Sequence, residues 1–171
     1  ISVTGVQTCA LPISLSAEIQ AARPGQKLIS MLHASLVEGL NRGILPAVQE
    51  ELEHYHADGL YGRRCKVPAG TVLVSRVHLS EHITIALVGD VTVFSHDGTR
   101  KQVSAPGMFV TARGTHRAVY CHTPVEWVTV HRMDDDTTDI DEIENALYRM
   151  EFDENDSRIM QALKGELKWQ Q

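Results

Sequence analysis

A succession of short apolar segments separated by turn residues constrains this chain most. Segments rich in Val, Ile and Thr favour β-strands, and they recur at residues 64–67, 71–77, 83–88, 91–95, 101–104, 107–111, 117–121 and 126–131. Gly89-Asp90 is typical of a tight hairpin turn, and His96-Asp97-Gly98 of another. No helical periodicity interrupts the series. The pattern therefore predicts a mainly β fold, an antiparallel sandwich or barrel.

Helical patterns flank the predicted strands on both sides. Leu28, Ile29, Leu32, Leu36 and Leu40 recur at spacings of three and four, which predicts a helix over residues 26–41 that stops near Gly43. We expect a short helical turn from Pro46 to Glu53. After an acidic linker at residues 134–139, two apolar stripes predict C-terminal helices; they comprise Ile140, Ile143, Leu147 and Met150, then Ile159, Met160, Leu163 and Leu167. These stripes are interpreted as packing surfaces.

The predicted organisation has four parts. Residues 3–13 resemble the translation of a common sequencing-library adapter, so residues 1–14 are interpreted as an artefactual or disordered leader on a metagenomic sequence. Residues 15–57 form an N-terminal helical segment, residues 58–133 the β-barrel, and residues 134–171 an acidic helical extension.

Charge and cysteine content exclude several function classes. The formal net charge of −6 argues against binding a nucleic-acid polymer, which requires a basic surface. No apolar run is long enough for a membrane-spanning helix. The three cysteines, Cys9, Cys65 and Cys121, show neither metal-site spacing nor a disulfide framework, which favours a cytoplasmic protein.

One run of residues indicates a pocket. Arg76, His78 and His82 are separated by even numbers of residues, so on one strand they line one face. Such polar groups are costly to bury for packing alone. An ideal strand would place His78 and His82 roughly 13 Å apart, too far to share a metal. A bend or a change of strand at Ser80-Glu81 would bring them closer.

The motifs resemble the cupin superfamily of double-stranded β-helix barrels. The resemblance rests on Pro68-Ala-Gly70, on His78, His82 and Gly89, and on Pro106-Gly107 followed by Arg113-Gly-Thr-His116-Arg117. In this alignment Arg76 occupies the first histidine position and His82 the glutamate position. The chain also resembles uncharacterised phage-encoded cupin-like proteins through residues 54–63, His78 to His82, Gly114–Arg117 and Thr129–His131. The resemblance implies a single cupin-like barrel with flanking helices.

Two kinds of site follow from these residues. His78, His82 and His116 are candidate ligands for Fe, Mn, Ni or Zn, with Glu81 as a candidate general base. Alternatively, Arg76, Arg113 and Arg117 supply forked donors for an anion, His131 adds a donor, and Tyr120 stacks on a base.

Three functions remain open at this point. The first is a phage protein that binds a small anionic or nucleotide-like molecule in the host cytoplasm, with or without a metal. The second is a metal-dependent oxygenase, isomerase or lyase, and the third a component of the virion or its assembly. We also expect a homodimer, because the helices carry apolar stripes and the barrel has open edges.

Overall fold

A computed structural model describes residue 21, residues 23–48 and residues 50–167. The leader at residues 1–14, with Cys9, lies outside the described residues. Within them, no helix is long and apolar enough to cross a membrane.

Three helices are assigned in the part of the chain that the structure describes, and they flank the strands. Helix α1 covers Gln26–Asn41, as the apolar spacing predicts, while α2 covers Ile140–Leu147 and α3 covers Ser157–Leu167. Asp139 caps α2, because its side chain accepts hydrogen bonds from the backbone N–H groups of Asp141 and Glu142. Acidic residues just before α2 therefore start a helix, as expected.

Eleven strands are assigned within the described residues. Their bounds are β1 Glu51–Ala57, β2 Leu60–Val67, β3 Val72–Val74, β4 Val77–His78, β5 His82–Val88, β6 Asp90–Ser95, β7 Arg100–Ser104, β8 Gly107–Thr111, β9 Arg117–Cys121, β10 Val125–Arg132 and β11 Tyr148–Arg149. One sheet has the order β1-β2-β10-β5-β8 and the other β3-β9-β6-β7, while β4 pairs with β11. All pairs are antiparallel. The predicted mainly β, cupin-like barrel is confirmed.

Apolar side chains from both sheets meet in the barrel interior. Cys65, Val67, Cys121 and Val125 form a buried cluster, against which Trp127 and other partly buried side chains pack. Because β2 and β10 belong to one sheet and β9 to the other, this cluster joins the sheets face to face. It fills one end of the barrel.

Two predictions about local structure are wrong. The chain from Pro46 to Glu53 forms no helical turn; residues 51–57 instead form β1, which pairs with β2 along its whole length. Gly59, with φ of 69°, makes the connecting turn. The segment 71–77 is not one strand: β3 and β4 are separate, and they pair with β9 and β11. Tertiary pairing decides both cases, because short segments have weak preferences of their own.

The outer face of the β5–β8 pair is apolar. Ile83, Leu87, Met108 and Val110 point away from the barrel interior, and Met108 is 72% exposed. On the same strands Thr84 and Ala86 point inward and border a cavity. The homodimer stays a prediction, and this face is the surface on which it is tested below.

Candidate functional site

Strand register arranges the inward side chains of the larger sheet in layers. At one end of the barrel His131 lies opposite Tyr61; one step deeper Thr129 lies opposite Arg63 and Thr84. Trp127 follows, opposite Cys65 and Ala86. Because inward residues alternate along each strand, the sequence of β10 alone orders a histidine layer, a polar layer and an apolar layer.

The histidine layer is a stack of three imidazoles. The ring centroids of His78 and His82 lie 4.6 Å apart, and those of His82 and His131 lie 4.2 Å apart. His78 ends β4 and His82 begins β5, so the chain turns between them instead of continuing as one strand. This change of strand, one of the two arrangements considered from the sequence, brings the two side chains together.

Burial keeps these imidazoles neutral. It lowers the pKa of His82 to about 4 and that of His131 to about 3, and it lowers the pKa of His78 well below 6.5. Positive charge from Arg117 and Arg63 acts in the same direction. Several ring nitrogens have no hydrogen-bond partner among the described residues, namely Nδ1 of His78, both nitrogens of His82 and Nδ1 of His131.

His116 belongs to a different cluster. Its Nδ1 lies 2.6 Å from the amide nitrogen of Gln26 on α1, and its backbone N–H donates to His96. Burial beside Arg23 lowers the pKa of His116 to about 4. The predicted trio of His78, His82 and His116 is therefore not brought together; His131 stacks on His82 instead.

The polar layer contains a cation without a counterion. Among the described residues, the guanidinium of Arg117 at the start of β9 makes a single hydrogen bond, a long one of 3.4 Å to the hydroxyl of Thr111. Thr111 in turn shares a hydrogen bond of 2.8 Å with Thr84. Among the described residues no carboxylate pairs with Arg117, and burial alone lowers the pKa of its guanidinium to about 10. Arg117 is therefore still charged at neutral pH.

Arg117 borders a cavity of about 300 Å³ inside the barrel. His78, Arg63, Arg76, Thr84, Thr129 and Tyr148 line its polar end, whereas Leu73, Val91, Val93, Val119 and Trp127 line its deeper part. Protein ligand sites of this kind combine an apolar wall with a few directed polar groups.

The α2–β11 segment covers the polar end of the cavity. Glu144 on α2 forms an ion pair with Arg76 at 2.7 Å, and its carboxylate lies 3.8 Å from Arg63. Tyr148 follows α2 directly, and its hydroxyl forms a hydrogen bond of 2.8 Å with Nε2 of His131. The C-terminal extension is thus part of the site, not only a packing surface.

Three other predicted site residues lie elsewhere. Glu81 is exposed and Arg113 is partly exposed, and neither lines the cavity. Tyr120 points outward from β9 and contacts His122 edge to face. Its outward direction follows from alternation, since Arg117 and Val119 point inward on the same strand.

The site residues that sequence reasoning missed include Arg63, Thr129, Glu144 and Tyr148. The alternation of side chains along 61–67 and 125–131 could have identified the first two. Arg63 and Thr129 are an even number of residues from apolar residues that face the interior, so they face it too. The other two come from the helical extension, where no local pattern distinguishes a residue facing the barrel from one facing solvent.

The residues as they stand do not fit a metal ion. Three neutral imidazoles are suitable donors, but ligation requires their nitrogens to converge at about 2.0–2.1 Å from one point. Here the rings of His82 and His131 stack with 27° between their planes, and the ring of His78 is tilted by 31° against that of His82. Within the described part of the chain, no group of three or more His, Cys, Asp or Glu residues is arranged to hold a metal. The guanidinium of Arg117 also opposes a cation nearby.

Known structures that resemble this protein share little of its sequence. No protein-family model matches the sequence, and no curated protein matches it either. Among solved structures, ectoine synthase from P. lautus is 9% identical over 64% of this chain and 83% of that one, with a TM-score of 0.47. The Schizosaccharomyces pombe Cnp3 cupin domain is 17% identical over 59% of this chain and 68% of that one, with a TM-score of 0.44.

A cupin domain from Bordetella pertussis Tohama I is 13% identical over 52% of this chain and 95% of that one, with a TM-score of 0.41. Similarity at this level carries no argument about ligand or activity. The fold assignment rests on the sheet order and register of the chain itself. The fold is cupin-like.

Proposed function

We propose that this protein binds a small anionic molecule inside the barrel, with Arg117 as its anchor. The observation that carries the proposal is the missing counterion of Arg117 at the cavity wall. Arg117 is partly buried, so its guanidinium loses part of its hydration without gaining a counterion, which costs free energy. A ligand carboxylate or phosphate bound bidentately by the guanidinium would offset this cost.

Neighbouring groups support an anion at the same place. Arg63 also lines the cavity, and its Nε has no hydrogen-bond partner among the described residues; Thr129 lies opposite it in the same layer. Arg76 is held by Glu144 at the edge of the cavity. Together these groups offer donors around one volume, whereas the histidines, being neutral, add no repulsion to an anion.

The sequence resemblance supports a phage origin as part of the same proposal, with the host cytoplasm as the place of binding. It also motivates a nucleotide-like ligand among the probes. The cavity of about 300 Å³ favours molecules at the small end of the usual range of ligands.

Calorimetric titration with acetate, benzoate, inorganic phosphate and adenosine monophosphate tests the proposal. We expect at least one anion to bind, and Arg117→Met to weaken that binding roughly tenfold or more, because a charge-assisted hydrogen bond contributes about 1.5–3 kcal/mol. The matched control is Arg113→Met, which removes an arginine that does not line the cavity. Binding by none of the probes, or equal binding by Arg117→Met, would refute the proposal.

The stability of the unliganded protein supplies a second readout. Arg117→Met removes a partly buried charge that has no counterion among the described residues, so we expect the melting temperature without ligand to rise. If Arg117 merely supported the fold, its replacement would lower the melting temperature. Arg113→Met should leave the melting temperature close to that of the wild type.

A metal-dependent enzyme, the alternative that the sequence leaves open, is tested separately. In such an enzyme the side chains of the stacked histidines would have to rotate so that their nitrogens converge on one metal ion. We expect protein purified without added metal to hold far less than one equivalent of Fe, Mn, Ni or Zn by mass spectrometry. Stoichiometric metal that is lost in His82→Ala would favour the enzyme.

A further inference from the structure

One end of the cavity is polar and the other is apolar, and this difference indicates the class of ligand. Donors gather in the layer of Arg63, Thr84 and Arg117. The next layer of the same sheet holds Trp127 and Ala86. Since inward layers along a strand are roughly 7 Å apart, a molecule bound at Arg117 would extend into apolar surroundings.

The charges at the polar end fit a single negative charge. Glu144 already pairs with Arg76 at 2.7 Å and lies 3.8 Å from Arg63, so these arginines are partly neutralised. Arg117 has no such partner among the residues that the structure describes. One forked guanidinium matches one carboxylate in geometry as well as in charge.

The far end of the cavity disfavours a second anionic group. Glu50 and Glu126 are the lining residues there that carry charge, and both are acidic. Glu50 lies beside the thiol of Cys65, and Glu126 accepts from Arg64 on the neighbouring strand at 2.7 Å. Since Glu126 is already paired with Arg64, a ligand with carboxylates at both ends would be repelled mainly by Glu50.

We infer that the ligand is a monocarboxylate with an apolar body, bound with its carboxylate at Arg117 and its body against Trp127. This inference rests on the proposed function and names the chemical class of that ligand. It excludes dicarboxylates of similar length and small inorganic anions as the preferred ligands.

Four matched probes test the inference by calorimetric titration: hexanoate, acetate, adipate and 1-hexanol. We expect hexanoate to bind roughly 250-fold more tightly than acetate, because it buries four more methylene groups and each strengthens binding by roughly fourfold. Adipate has the same length and a second carboxylate, so it should bind at least tenfold more weakly than hexanoate. Hexanol, which has no charge, should bind more weakly than hexanoate. Its affinity should be the same for the wild type and Arg117→Met.

A variant that fills the apolar part supplies the structural test. Ala86→Leu places extra methyl groups beside Trp127, so it should lower the affinity for hexanoate at least tenfold and leave the affinity for acetate unchanged. The control is Leu87→Phe on the outer face of the same strand. If Ala86→Leu fails to fold, the four probes on the wild-type protein still decide the question.

The two proposals fail in different ways. Equal affinities for acetate, hexanoate and adipate, all weakened by Arg117→Met, would overturn the ligand class and leave anion binding intact. Binding of inorganic phosphate or adenosine monophosphate but of no carboxylate would also overturn the ligand class, whereas binding by none of these anions would overturn anion binding at Arg117 itself. Hexanol binding as tightly as hexanoate would show that the apolar wall, without the arginine, determines affinity.

Discussion

The buried histidine stack makes the stability of this protein depend on acid. His82 contacts the rings of His78 and His131 and is close to the charges of Arg117 and Arg63. Burial lowers its pKa from 6.5 to about 4. The unfolded chain therefore binds protons at a pH where the folded protein does not, and the free energy of unfolding falls as the pH falls from 6.5 toward about 4.

The magnitude for His82 follows from the two pKa values. With a folded pKa of about 4 and an unfolded pKa of 6.5, lowering the pH from about 7.5 to about 5 removes about 2 kcal/mol of stability. His131 and His78 titrate in the same direction, so the loss for the whole stack is larger. Because the three rings interact, their contributions do not add exactly as separate terms.

The perturbation that isolates this effect is His82→Leu. It removes one titrating group and two ring nitrogens without partners, and leucine is a similar size. At about pH 7.5 we expect stability to change by about 1 kcal/mol or less, since lost ring stacking and removed unpaired nitrogens oppose each other. Between about pH 7.5 and about pH 5 the free energy of unfolding should fall in both proteins. The fall should be about 2 kcal/mol smaller in the variant than in the wild type.

Urea unfolding at a series of pH values measures this difference. Trp127 lies inside the barrel, so its fluorescence reports unfolding, and circular dichroism gives a second probe. His122→Gln is the control, because His122 is exposed. This variant should lose as much stability in acid as the wild type does. An acid loss in His82→Leu as large as in the wild type would refute the argument that burial keeps His82 neutral.

Three further predictions concern other parts of the molecule. Glu144→Gln frees two arginines at the cavity, so hexanoate should bind up to about fivefold more tightly by calorimetry; weaker binding would contradict this. Burial raises the pKa of Cys65 to about 12 and that of Cys121 to about 11, so in Cys9→Ser protein both should react with dithiodipyridine only after unfolding. Fast reaction of the folded protein would contradict it. Met108→Glu should convert a dimer into a monomer by light scattering; a monomeric wild type would argue against the homodimer.

Much of the fold follows from local patterns. The helix at 26–41 appears where leucines recur at spacings of three and four, and the segments at 107–111 and 117–121 form strands with the predicted bounds. Asp139 starts α2, as its position before an apolar stripe suggests. The failures at Pro46 and at 71–77 occur where the local preference is weak and pairing with a distant strand decides the structure.

The site divides in the same way. Alternation places Arg117 inside the barrel and Tyr120 outside it, and this can be derived from the sequence of β9 once its register is fixed. The partners of the histidines cannot be derived in this way. His131 stacks on His82 because β10 lies beside β5, whereas His116 contacts Gln26 because α1 packs on the other side.

The sequence by itself determined the class of fold, the interior face of each strand and the presence of arginines and histidines on it, because these depend on spacing along the chain. Tertiary structure alone decided that Arg117 lacks a carboxylate while Arg76 has Glu144, and that Tyr148 covers the cavity. Pairing of charges acts over a few ångströms between residues distant in sequence. No local pattern therefore encodes which buried cation is left for a ligand.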